Sequence, residues 1–170
     1  MEIVTGYVGR AHITAEQDRL LNRAIFGNDS VITNLGMKMR ADLISNNEIR
    51  IRDGGLMQQG CFAIIPINTY ESITVSNGSQ GMNRISLIVS RYEKNSGTGI
   101  ESIRLKIIDG TPTSLTPTVP AYVKGNIANG DLVDEFPLYK VNLKGLNITS
   151  IEPLAKPVLS MAEAVYRKEG

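Results

Sequence analysis

Apolar and polar residues alternate with a period of two along most of this chain. Ile49 and Ile51 alternate with Arg50 and Arg52, and Ile73 and Val75 with Thr74 and Ser76. Ile85, Leu87 and Val89 alternate with Ser86 and, less cleanly, Ile88. Ile103, Leu105 and Ile107 alternate with Ser102, Arg104 and Lys106, and Val141 and Leu143 extend the series. A side-chain repeat of two buries one face and wets the other, which marks antiparallel strands. The pattern predicts an all-β fold: an antiparallel β-sandwich of Greek-key or jelly-roll type, with these apolar side chains turned inward.

Turn residues divide the strands. Asn46-Asn47 lies between Met39–Leu43 and Ile49–Ile51 and predicts a hairpin, which Asp53-Gly54-Gly55 brings to an end. Asn77–Gly81 tolerates positive φ, so Ile73–Val75 and Ile85–Val89 are expected to pair as a hairpin near the middle of the sheet system. Asp109-Gly110 stops the next strand. Residues 111–121 hold Pro112, Pro117 and Pro120 and are read as a crossover from one sheet to the other. A short strand is expected over Tyr122–Ile127, and a final hairpin around Lys144-Gly145.

One segment follows a helical rule instead. Thr14 and Gln17 form a capping-box pair, Leu20, Leu21, Ala24 and Ile25 recur at helical spacing, and Gly27 stops the run. A helix over 14–26 is too short to stand alone in water, so its stripe needs cover. Its own sheet is one cover; a symmetry axis where copies meet is the other, which makes Leu20, Leu21, Ala24 and Ile25 the candidate oligomer interface. Arg19 and Arg23 are like charges at i and i+4 and call for nearby carboxylates, which another subunit could supply. Ser160 and Glu163 repeat the capping-box pattern, predicting a short C-terminal helix. The chain divides into a sandwich domain over 1–152, with an N-terminal arm and the helix, and a C-terminal tail over 153–170.

Composition narrows the chemistry. With 18 basic and 17 acidic residues the net charge is +1, without the basic excess of a nucleic-acid binder. No apolar run is long enough for a membrane-spanning helix, so no membrane insertion is expected. One cysteine and the absence of a basic-then-apolar leader point to synthesis in a reducing cytoplasm. Cys61 and His12 are each the sole residue of their kind, too few for a zinc set or a convincing Cys–His pair. Calcium-loop, phosphate-loop and nucleophile-elbow patterns are missing. Neither an enzyme nor a cofactor or metal is expected. Asp53 and Asp109, each before a glycine, are read as turn formers rather than paired catalytic acids. Arg40, Arg50 and Arg52 are read as a solvated face in preference to a basic patch.

An ordered set of segments resembles a known family. These are His12–Asp18, Ile49–Gly54, Gly60, Thr69-Tyr70 before Ile73–Val75, Asn77-Gly78 with Gln80-Gly81 and Arg84, Arg91-Tyr92, Gly110-Thr111 and Phe136–Tyr139. Together they resemble small tail or baseplate proteins of phages and prophages of Gram-positive bacteria, and the N-terminal shoulder region of their receptor-binding proteins. The similarity spans roughly residues 5–152 and does not extend to a receptor-binding head. It implies a β-sandwich with an N-terminal helix, a homotrimer around a tail axis, other tail or baseplate proteins as partners, and a place in the virion tail. A host cell-surface saccharide is a further expected partner. The alternative is a carbohydrate-binding or adhesin-type sandwich module.

Overall fold

A computed structural model describes residues 13–166; the arm over 1–12, with His12 and Tyr7, and residues 167–170 lie outside the described residues. The fold is an antiparallel β-sandwich with one N-terminal helix, α1 (Ala15–Phe26), and a short C-terminal one, α2 (Met161–Tyr166). Both predicted capping boxes form. The Thr14 hydroxyl accepts from Gln17 N–H at 3.2 Å, and the Ser160 hydroxyl from Glu163 N–H at 3.2 Å.

The first sheet is built on β3 (Glu48–Gln58). β4 (Cys61–Thr74) pairs along one side of it, while β1 (Val31–Ile32) and β2 (Ala41–Leu43) share the other. Asp53-Gly54-Gly55 does not end this strand as the sequence suggested. The register shifts between Arg52 and Gly54, where the partner moves from Tyr70 to Ile65, and pairing resumes through Gln58. The bulge also switches the inward phase, from Ile49 and Ile51 before it to Leu56 and Gln58 after it. A simple alternation cannot be followed through such a switch. The β3–β4 link is Gln59-Gly60 with φ of +48° and +91°, the two positive values of a type I′ hairpin.

The second sheet runs β6 (Glu101–Asp109), β5 (Asn83–Lys94), β7 (Val133–Lys144), β8 (Asn147–Pro153). β4 and β5 therefore lie in different sheets, and Asn77–Gly81 is the crossover between them, not the tip of a hairpin. Polar ties hold that crossover. The Arg84 guanidinium donates to the carbonyls of Ser76 and Asn77, and the Ser86 hydroxyl donates to Asp109 at 2.8 Å. Asp109 also accepts from the Ser76 hydroxyl, so it serves as a tie between strands rather than as a turn former.

The inward face of β5 is the opposite of the one expected. Directly opposed residues share a face, and Ile88, in the core, stands opposite Ile107 and Tyr139. Ser86, Ser90 and Tyr92 share its phase; Ile85, Leu87 and Val89 point to the outer face. Leu87 and Val89 are nonetheless fully buried. The reason is the segment 111–125. It does not cross between sheets: β6 and β7 belong to the same one. It leaves from Thr113, which pairs with Asn83, and reaches Val123, whose carbonyl accepts from Glu135 N–H at 2.8 Å. The segment is thus a strap over the outer face of this sheet. The strand expected over Tyr122–Ile127 is absent, and a single 3-10 turn covers Ile127–Asn129.

Of the apolar positions predicted inward, Ile49, Ile51, Ile73, Val75, Val141 and Leu143 are buried in the core between the sheets. Ile103, Leu105 and Ile107 are half-buried, as befits the edge strand β6. A buried polar cluster sits among them. Gln58 accepts from the Ser90 hydroxyl at 2.8 Å and donates to the Asp134 carboxylate at 2.7 Å, joining β3, β5 and β7. Beyond β8 the chain returns to the first sheet. Leu154 N–H donates to Leu138 O, and Val158 N–H to Ile32 O, so residues 154–158 stitch one sheet to the other.

Candidate functional site

The notable surface is α1 and what surrounds it. The helix rests on the β3–β4 turn by polar contacts. The Asn22 amide donates to Gly60 O at 2.9 Å, and the Arg23 guanidinium to Gln59 O at 2.8 Å. Arg19 pairs with Glu101 of β6 at 2.7 Å. The approach is close enough that a Cβ on Gly60 would stand 2.7 Å from Arg19 O. The carboxylate that Arg19 needs thus comes from the same chain, and Arg23 is satisfied by a carbonyl; the expectation of acids from another subunit is corrected on both counts.

With Arg19, Asn22 and Arg23 turned to the sandwich, the apolar stripe faces away from it. Leu20, Leu21 and Ile25 are 56%, 61% and 57% exposed, and Ala24 lies exposed among them. No residue of α1 is buried. The stripe does not dock on its own sheet, so of the two covers the sequence allowed, this one is ruled out.

A groove of about 700 Å³ runs beside the helix. Met57 and Phe62, directly paired on the outer face of the first sheet, form its floor. Ile25 and Phe26 of α1 form one wall, and Leu35 and Leu159 contribute the other. Apart from Ile25, sequence reasoning missed these residues. Cys61–Ile65 is an unbroken apolar run, in which period two cannot say that Phe62 and Ile64 face outward.

The residues weighed for chemistry are engaged elsewhere. Cys61 lies half-buried on β4; burial pushes its thiol up, against the pull of Arg19, so it stays protonated at neutral pH. Among the described residues no cluster of His, Cys, Asp and Glu side chains could hold a metal. Arg40 and Arg52 both bind Asp42, at 2.9 and 2.7 Å, and Arg50 binds Glu48 at 3.2 Å, which makes them an ion-paired ladder on the wet face. The Tyr70 ring carries Arg50 at 4.4 Å and the Tyr122 ring Lys124 at 5.3 Å, while Tyr92 and Tyr139 are buried. A cation thus lies over one face of Tyr70 and of Tyr122, while Tyr70 itself stays 45% exposed and Phe26 and Phe62 are 36% and 49% exposed.

No protein-family model matches the chain, and no curated protein matches it. Among the described residues, no helix is long and apolar enough to cross a membrane.

Proposed function

We propose that this chain is a non-enzymatic structural subunit of a phage or prophage tail or baseplate. It assembles as a homotrimer through the outward face of α1 and forms part of the host-adsorption apparatus. One observation carries the reading: a helix that turns its arginines and asparagine toward its own domain and its leucines toward solvent. An exposed leucine stripe has an uncompensated hydrophobic cost in a monomer, roughly 1.5–3 kcal/mol for each large side chain left uncovered, and a second copy removes it. The resemblance of the segments around His12–Asp18, Ile49–Gly54 and Phe136–Tyr139 to small tail proteins supports both the virion setting and the number three.

Light scattering across a range of concentrations tests the assembly. A trimer is expected from the wild type, and monomers from Leu21→Asp/Ile25→Asp, because a charge placed in an apolar contact is costly. A wild type that stays monomeric when concentrated overturns the reading. The setting is tested by inducing phage from the source bacterium and fractionating particles: the chain is expected to sediment with tails, and its exclusion from them removes the virion assignment.

A further inference from the structure

We infer that the pocket between α1 and the turn over 127–130 binds a phosphate group, free or esterified, on Arg23 and Lys94. The site is complete within one chain, so the inference goes beyond the assembly reading and does not depend on it.

The pocket holds about 180 Å³. Glu16, Arg19, Leu20 and Arg23 of α1 form one wall, and Lys94 at the end of β5 and the 127–130 turn form the rest. Whole small-molecule sites begin at ~300 Å³, so this volume suits one compact group. Three cations line it against one carboxylate, Glu16. In a chain whose net charge is +1, that is a local excess.

The existing bonds leave much of this charge unused. Arg23 Nε–H donates to Gln59 O at 2.8 Å, which satisfies one N–H but not the charge. Among the described residues Arg23 has no carboxylate partner, and its two Nη groups make no hydrogen bond. Lys94 has a single ion pair, 3.5 Å from Glu101 and longer than a normal hydrogen bond. Glu101 is already shared, since it accepts from Arg19 at 2.7 Å and from the Tyr92 hydroxyl at 3.0 Å. Arg23 and Lys94 are both partly buried, which makes an unpaired charge more costly than at a free surface. A guanidinium fork matches two oxygens of a phosphate, and an ammonium adds a point charge beside it. A phosphate ester carries close to two charges at neutral pH and engages both cations more fully than a carboxylate does. An anion next to Arg19 and Arg23 also offsets their like-charge repulsion at i and i+4.

Isothermal titration calorimetry of the full chain, in a low-salt buffer without oxyanions, tests the site. The probes are inorganic phosphate, glycerol 3-phosphate and acetate. Saturable one-to-one binding of phosphate is expected, with acetate several-fold weaker, and the tighter of the two phosphates shows whether the group arrives free or as an ester. No saturable binding of either phosphate overturns the proposal. Lys94→Gln is expected to weaken binding about tenfold, the worth of one charge-assisted bond. Binding unchanged in Arg23→Gln/Lys94→Gln lies elsewhere on the protein and overturns the assignment. Arg23 also fastens the helix to Gln59, so a variant that leaves every observed bond in place is needed. Glu16→Gln is that variant: the side chain is exposed and unbonded, and its removal takes away the opposing charge of the lining. Several-fold tighter binding is expected, and unchanged or weaker binding overturns the site. A wild type that is monomeric yet binds phosphate loses the assembly reading alone.

Discussion

Arg19 Nη1 and Glu101 Oε2 stand 2.7 Å apart and join α1 to β6 across 82 residues of sequence. The Tyr92 hydroxyl donates to the other Glu101 oxygen at 3.0 Å, so a helix, an edge strand and a central strand meet on one carboxylate. Arg19→Ala removes a charge-assisted bond from a mostly buried site and is expected to cost about 1–2 kcal/mol. Amide exchange over 15–26 measures it; unchanged exchange there would mean that the pair contributes nothing to holding the helix.

Acid should weaken the fold through its paired carboxylates. Burial pushes Glu101 up, but the Tyr92 hydroxyl, Arg19 and Lys94 outweigh it and hold the group below the usual carboxylate range. Burial is outweighed in the same way at Glu135, by Val123 N–H, Lys106 and Arg91. A depressed folded-state value contributes stability above the unfolded value, about 4.3 for glutamate, and that contribution fades as pH falls through the lower folded value. Denaturant midpoints are expected to hold from neutrality to about pH 5 and to fall below about 4.3. A midpoint constant down to about pH 3 contradicts this.

Glu135 also secures the strap. Its side chain is 2% exposed and meets Arg91 at 2.6 Å, Lys106 at 2.9 Å and Val123 N–H at 2.8 Å. Glu135→Ala leaves Arg91 with Glu93 alone, at 2.7 Å, takes the acceptor from Val123 N–H, and is expected to cost about 1–3 kcal/mol. The strap should loosen before the sandwich does, so trypsin is expected to cut after Lys124 in the variant under conditions that spare the wild type. Equal cleavage of the two proteins counts against Glu135 as the fastening.

Gly78 tests the crossover between the sheets. A Cβ there would stand 1.9 Å from Gly145 O, a backbone atom of the β7–β8 turn. Gly78→Ala is expected to cost about 1–3 kcal/mol by overpacking. Full stability in this variant would show that the two loops can part freely.

Period two in Ile49–Ile51, Ile103–Ile107 and Val141–Leu143 was enough to read the sandwich, because each of those runs has one covered face and one wetter one. It misread β5 because that strand is covered twice, by the core over Ile88 and by the strap over Leu87 and Val89, so no face of it stays wet. The sheet assignment of β4 and β5 failed for a different reason. A turn-rich linker such as Asn77–Gly81 reverses the chain equally well within a sheet or between sheets; in the fold, bonds from Arg84 to Ser76 and Asn77 and from Ser76 to Asp109 hold the second. The candidate surface was half legible. Helical spacing picked out Leu20, Leu21, Ala24 and Ile25, but the groove wall at Leu159 lies in a segment without periodicity and depends on the return of residues 154–158 to β1.

Because none of its residues is buried and polar bonds anchor it, α1 has little reason to unfold together with the sandwich. It forms a separate low-stability unit whose opening costs much less than global unfolding. If copies associate through α1 as proposed, amide exchange over 15–26 depends on protein concentration while exchange in the β5–β7 ladder does not. The helix amides would register association directly, slowing as copies meet and quickening on dilution.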